Sequence, residues 1–158
     1  RSFQIPRPFI GMSVLENLLV PLDYKHNVHN KEQRALELLQ SVGLENRAHD
    51  PSGSLSQLEL RKLELARALA SDPKVLIADE AMAGLSDAEI DEVLAILMRL
   101  NRSGVAIVMI EHIMHAVMRF SQRVVCFDTG QLIAAGTAND IANNELVQKV
   151  YFGEQTHH

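Results

Sequence analysis

The residues best placed to do chemistry are Asp79 and Glu80, adjacent carboxylates that close the apolar run Val75-Leu76-Ile77-Ala78. That run has β-branched members and follows the turn signal Ser71-Asp72-Pro73, which predicts a buried strand of a parallel sheet with the two acids at its carboxyl end. Ligands of open α/β sheets bind at this edge. There an Asp can hold Mg²⁺ while the next carboxylate faces a phosphate and a water; the same residues also fit a strand that leaves the core as a solvated acidic turn. A second apolar run, Val105 to Ile110, ends in Glu111-His112, so two strands that pair would present polar groups at one sheet edge. Histidine suits a role against phosphate and water near neutral pH. His112 and His115 lie one helical turn apart, but they lack the His-Glu-x-x-His spacing and the soft ligands of a zinc site.

The elements that must position these groups follow from periodicity. Ser13-Val14-Leu15-Glu16 has capping-box spacing and predicts a helix from about Val14 to Val20, stopped by Pro21. Asp23 to Asn30 reads as a loop, and Lys31 to Val42 as an amphipathic helix with Ala35, Leu36, Leu38, Leu39 and Val42 at helical spacing, closed by Gly43. After the turn cluster Asp50-Pro51-Ser52-Gly53-Ser54, a long helix is expected over Leu58 to Ala70. Helices at about Asp87–Arg102 and Met114–Phe120 then alternate with strands at Val105–Ile110, Val124–Phe127 and Leu132–Ala135. This order implies an α/β fold, mainly a parallel sheet with a short antiparallel or mixed addition, carrying a mostly helical region ahead of it.

Composition narrows the function classes. A chain of 158 residues that is 47% hydrophobic suffices for one domain with a real core. The formal net charge of -5 and the lack of a Lys/Arg block argue against nucleic acid as a partner. Cys126, the single cysteine, lies inside Val124-Val125-Cys126-Phe127 and reads as a small core residue. No run approaches the roughly 18 apolar residues that span a bilayer, and the first residues lack the pattern of a signal peptide, so the chain is expected to be soluble. It opens on Arg1 without an initiator Met, which suggests processing or truncation, and His157-His158 reads as a tag remnant.

Taken in order, these motifs resemble the ATP-binding subunit of an ABC transporter, with phrasing closest to the branched-chain amino-acid uptake ATPases. Arg1-Ser2-Phe3-Gln4 resembles the Q-loop, and Leu55-Ser56 with Arg61-Lys62-Leu63-Glu64-Leu65-Ala66-Arg67-Ala68-Leu69 resembles the signature helix. Leu76-Ile77-Ala78-Asp79-Glu80 resembles the Walker B strand, Ala83-Gly84-Leu85-Ser86 the D-loop and Ile110-Glu111-His112 the switch-histidine loop. The segment Gly130-Gln131-Leu132-Ile133-Ala134-Ala135-Gly136-Thr137 resembles the sheet and turn that follow.

The resemblance implies an incomplete P-loop NTPase fold over residues 1–153, with a helical subdomain at about 10–70, an α/β part at about 71–153, and 154–158 as a tail. It implies ATP and Mg²⁺ as cofactors of the complete protein. Asp79 and Gln4 would hold the metal, Glu80 would polarise the attacking water, and His112 would contact the γ-phosphate. Ser56 and Ser86 would reach nucleotide or the opposite subunit across a dimer. The implied role is the energy-coupling subunit of an importer for branched-chain amino acids or related solutes; the alternative is a non-catalytic or regulatory module of the same fold. Implied partners are membrane-spanning permease subunits and a second ATP-binding subunit, and the implied place is the cytoplasmic face of the cell membrane.

The chain departs from the family pattern at several points. No Gly-x-x-x-x-Gly-Lys-Ser/Thr occurs, and none of the eight glycines precedes a Lys. In this family that loop precedes the Q-loop, so the chain is expected to be the carboxy-terminal part of a longer ATPase and to be inactive alone. Leu55-Ser56-Gln57-Leu58-Glu59 stands where the family has Leu-Ser-Gly-Gly-Gln, which loses two glycines and adds the charge of Glu59. Ala81 stands for the usual Pro, and Ser86 for the usual Asp of the D-loop.

Overall fold

The computed structural model describes residues 2–3, 8–25 and 29–152. They form two compact units, one running through Glu111 and one beginning at His112. Gln4, the first candidate site residue, lies outside the described residues.

The first unit is built on three parallel strands in the order β1 (Ser2–Phe3), β2 (Val75–Asp79) and β3 (Ala106–Ile110). Strands β2 and β3 pair from Val75 opposite Ala106 to Asp79 opposite Ile110, so the two runs that end in polar residues are neighbours and finish level. Residues paired in a parallel ladder share a face. On one face Leu76 and Ala78 are fully buried. On the other, Val75, Val108 and Ile110 are 47%, 49% and 52% exposed, an apolar face where parallel sheets are ordinarily covered on both sides.

Among the described residues, three α-helices lie between β1 and β2. The first, α1 (Val14–Asp23), starts at Ser13, whose hydroxyl accepts from the Glu16 N–H while the Glu16 carboxylate accepts from the Ser13 N–H. It runs three residues further than Pro21 predicts, through that proline. Pro21 removes only its own N–H near the helix end, and Leu22, 1% exposed, secures the last turn by burial. The second, α2 (Lys31–Val42), buries Ala35, Leu38, Leu39 and Val42 as its periodicity requires. It stops at Gly43, whose φ of 73° lets its N–H reach back to the Gln40 and Leu39 carbonyls. The third, α3 (Gln57–Leu69), and α4 (Asp87–Arg102), which connects β2 to β3, complete the unit.

In the second unit, α5 (Met114–Phe120) precedes the antiparallel pair β4 (Val124–Asp128) and β5 (Gln131–Gly136). Two further helices, α6 (Ala138–Ala142) and α7 (Glu145–Phe152), follow without having been foreseen. The opening signal of α6 is Thr137-Ala138-Asn139-Asp140, another reciprocal cap. Cys126, Ile141 and Val147 form a small core there. Burial pushes the Cys126 thiol up, consistent with packing rather than reactivity. Among the described residues no helix is long and apolar enough to cross a membrane.

Hydrogen bonds from the capped residue hold the Glu16 and Glu89 carboxyls below their ordinary range. A depressed carboxyl contributes stability that is present above its unfolded value and is lost as pH falls through the folded one. Replacing Glu16 and Glu89 by Gln is therefore expected to lower the urea midpoint at pH 7 and to make no difference well below about pH 4, where the wild-type side chains are neutral too. An equal gap at both pH values would show that the ionised caps contribute nothing.

Candidate functional site

The carboxyl end of β2 turns sharply. Glu80 has a left-handed backbone, φ 48°, and its N–H donates to the Ile110 carbonyl at 2.9 Å, which carries the pairing with β3 one residue past the strand. A residue with a side chain pays about 1–2 kcal/mol for this conformation, so the surroundings must impose it. Ala81 and Met82 are fully buried immediately after it. The Ala83 N–H returns to the Glu80 carbonyl at 3.3 Å and the Leu85 N–H to the Met82 carbonyl at 3.2 Å. Asp79 is half-buried in this arrangement and Glu80 is exposed.

Two side chains from other elements grip the turn. Glu111 follows β3, and its Oε1 accepts from the Met82 N–H at 2.9 Å. Arg61, on α3 and 3% exposed, donates from Nη2 to the Ala83 carbonyl at 3.3 Å. Burial pushes the Arg61 guanidinium down, and the negative charges of Glu111 and Glu64 oppose that shift. Neither role was legible in the sequence, where Arg61 and Glu111 appeared only as letters of two motifs. A charged residue inside an otherwise apolar helical face was the available signal for Arg61.

Ser56 and Ser86 sit at the exposed amino-terminal caps of α3 and α4. The Ser56 hydroxyl accepts from the Glu59 N–H at 3.3 Å while Glu59 accepts from the Ser56 N–H at 2.8 Å. Ser86 donates both its N–H and its hydroxyl to Glu89, at 2.8 and 2.7 Å. The Gln57 side chain reaches the turn ahead of α4: its Nε2 lies 3.8 Å from the position a Cβ on Gly84, φ 79°, would take. His112 is the first residue of the second unit and is exposed. The first unit thus brings Asp79, Glu80 and Glu111 to one turn at the end of β2, while Ser56 and Ser86 open α3 and α4.

Among the described residues no three His, Cys, Asp or Glu side chains converge to hold a metal. A cation enclosed by protein alone does not fit. Mg²⁺ that takes most of its ligands from phosphate and water does fit, because it asks the protein for as little as one carboxylate, and half-buried Asp79 offers one at the sheet edge.

A family model described as ABC transporter matches residues 2–83. The probable branched-chain amino acid transport ATP-binding protein LivG of Archaeoglobus fulgidus is 33% identical over 98% of this chain and 65% of its own length. The lipopolysaccharide export system ATP-binding protein LptB of Escherichia coli strain K12 is 32% identical over 92% of the chain and 61% of its own length. Among solved structures, the ADP conformation of MJ1267, an ATP-binding cassette of an ABC transporter, superposes with a TM-score of 0.82 at 26% identity, covering 96% of this chain and 67% of that one. The chain belongs to the ABC transporter ATP-binding family, and its fold is that of the ABC ATPase cassettes. It spans a little under two thirds of the length of these two curated relatives.

Proposed function

We propose that this chain is the Walker B-containing part of the ATP-hydrolysing subunit of an ABC importer for branched-chain amino acids or related solutes. The observation that carries the reading is the turn after β2, where an Asp at the strand end is followed by an exposed Glu held in a left-handed conformation against β3. Similarity to LivG supports the solute class, and similarity to LptB supports ATP-driven transport more broadly.

The bound Mg-nucleotide supplies the electrophilic phosphorus and the charge that metal and protein must share. Asp79 would hold the metal, and Gln4 would share that role. Glu80 would orient a water and take up its proton, and His112 would donate a hydrogen bond to the charge that develops on the γ-phosphate. Ser56 and Ser86, both at exposed caps, would face a second ATP-binding subunit, and membrane-spanning permease subunits would convert closure of that dimer into movement of solute. These assignments place the complete protein at the cytoplasmic face of the membrane.

The complete protein is expected to hydrolyse ATP in a Mg²⁺-dependent reaction. Steady-state phosphate release with and without chelator tests this. A folded, nucleotide-binding protein with no Mg²⁺-dependent turnover would overturn the catalytic reading.

A further inference from the structure

We infer that Glu111 is a positioning residue for Glu80: it acts by clamping the turn that carries Glu80, and it does not touch the reacting atoms. The inference rests on the proposed role of Glu80. The turn from Glu80 to Ala83 is fixed at three points that lie on two other elements. The Glu80 N–H is held by the Ile110 carbonyl at 2.9 Å, the Met82 N–H by Glu111 Oε1 at 2.9 Å, and the Ala83 carbonyl by Arg61 Nη2 at 3.3 Å.

The middle clamp is distinctive because it is a carboxylate turned inward. Glu111 Oε2 is buried and has no hydrogen-bond partner. An ionised oxygen without a partner is costly to bury. A threonine or a backbone carbonyl would satisfy the Met82 N–H at lower cost, so holding that N–H alone does not account for a charge here. The carboxylate does two further things. Its charge offsets the burial of Arg61, the group that fixes the other end of the turn. Its hydrogen bond to Met82 is charge-assisted and so resists rotation of the peptide units on either side more strongly than a neutral bond would.

Those peptide units follow Glu80 directly, and Glu80 is the residue held at positive φ. Without the clamp, relaxation toward ordinary φ swings the Glu80 side chain away from its present direction, at no loss to the Asp79 end of the strand. The expected consequence is lower turnover at nearly unchanged nucleotide affinity, because misplacement of a general base by a fraction of an ångström affects the chemical step first.

The test is a mutant cycle in the complete protein, with kcat, KM for ATP and nucleotide affinity measured for each variant. Glu111→Met keeps the volume and removes both oxygens; Glu111→Gln keeps an acceptor for Met82. Glu111→Met is expected to lower kcat by roughly tenfold or more with KM within about twofold, and Glu111→Gln to recover a large part of the loss. In a Glu80→Gln background, Glu111→Met should cost less than about twofold, because a residue acting through Glu80 has nothing left to act on.

Equal losses in the two backgrounds, a change confined to KM, or full activity of Glu111→Met would each overturn the inference. So would failure of both Glu111→Met and Glu111→Ala to give a cooperatively melting protein, since the role is then structural only. If Glu80→Gln alone leaves turnover intact, the reading of Glu80 fails instead, an outcome the cycle separates from failure of Glu111.

Discussion

Replacing Glu80 by Gln in the complete protein is expected to lower ATP turnover by about a hundredfold or more, roughly 3 kcal/mol in activation free energy, while nucleotide binding is retained. Glutamine matches the shape and hydrogen-bonding reach of the carboxylate but takes up no proton at neutral pH. The exposure of Glu80 makes the substitution structurally mild. Its neighbour predicts a different pattern: Asp79→Asn should weaken Mg²⁺-dependent binding as well as turnover, since an amide oxygen is a poorer ligand for a hard cation. Single-turnover hydrolysis and equilibrium nucleotide binding, measured on both variants, separate the two roles. Unchanged turnover in Glu80→Gln would remove Glu80 from the mechanism, and the strand end would revert to a solvated acidic turn.

The strand and its acids were legible because they are local. An apolar run with a defined length and a polar stop announces itself within a few residues, and the pairing of β2 with β3 follows from the same signal occurring twice. The helices of the first unit were legible through their period, apart from the end of α1, where burial of Leu22 outweighed Pro21. What the sequence hid is what depends on distant residues. Arg61 and Glu111 meet only at the turn after β2, and neither is motivated by its own neighbours.

The irregular signature segment shows a different limit. Leu55-Ser56-Gln57-Leu58-Glu59 reads as a weakened phosphate-facing loop with an added negative charge. The same letters are a capping box, and the structure uses them as one. Glu59 folds back on the Ser56 N–H, and its other oxygen lies 3.5 Å from Arg47 Nε. Its charge is therefore partly countered and engaged at the helix start. Among the described residues, reciprocal caps also open helices at Ser13 and Thr137, and Ser86 opens α4 by donating to Glu89, so the spacing is a general device of this chain and not a peculiarity of the signature.

The segment that follows Gln4 gives the largest expected effect on stability. Asn17, on α1, is fully buried and polar. Its Oδ1 accepts from the Phe9 N–H at 2.8 Å, and its Nδ2 donates to the Phe9 and Ser13 carbonyls at 3.2 and 3.0 Å. Ser52 adds a hydroxyl to the same Phe9 carbonyl at 3.0 Å, and the Phe9 ring packs under the Arg67 guanidinium at 5.0 Å. Phe9 is thereby tied to α1, to the turn before α3 and to α3 itself. Asn17→Ala removes three hydrogen bonds, but the costs are unequal. The Ser13 carbonyl keeps the Asn17 backbone N–H and the Phe9 carbonyl keeps Ser52, so only the Phe9 N–H loses its partner outright. The expected loss is about 2–3 kcal/mol, read as a lower urea midpoint at unchanged slope. Ser52→Ala should cost about 1 kcal/mol. The double variant should lose about the sum, because the Phe9 carbonyl keeps the Met12 N–H at 2.9 Å when both side chains are gone. A loss well beyond the sum would show that the Met12 N–H does not hold the Phe9 carbonyl unaided, and an Asn17→Ala protein as stable as wild type would mean that this segment is held by the Phe9 and Arg67 contact instead.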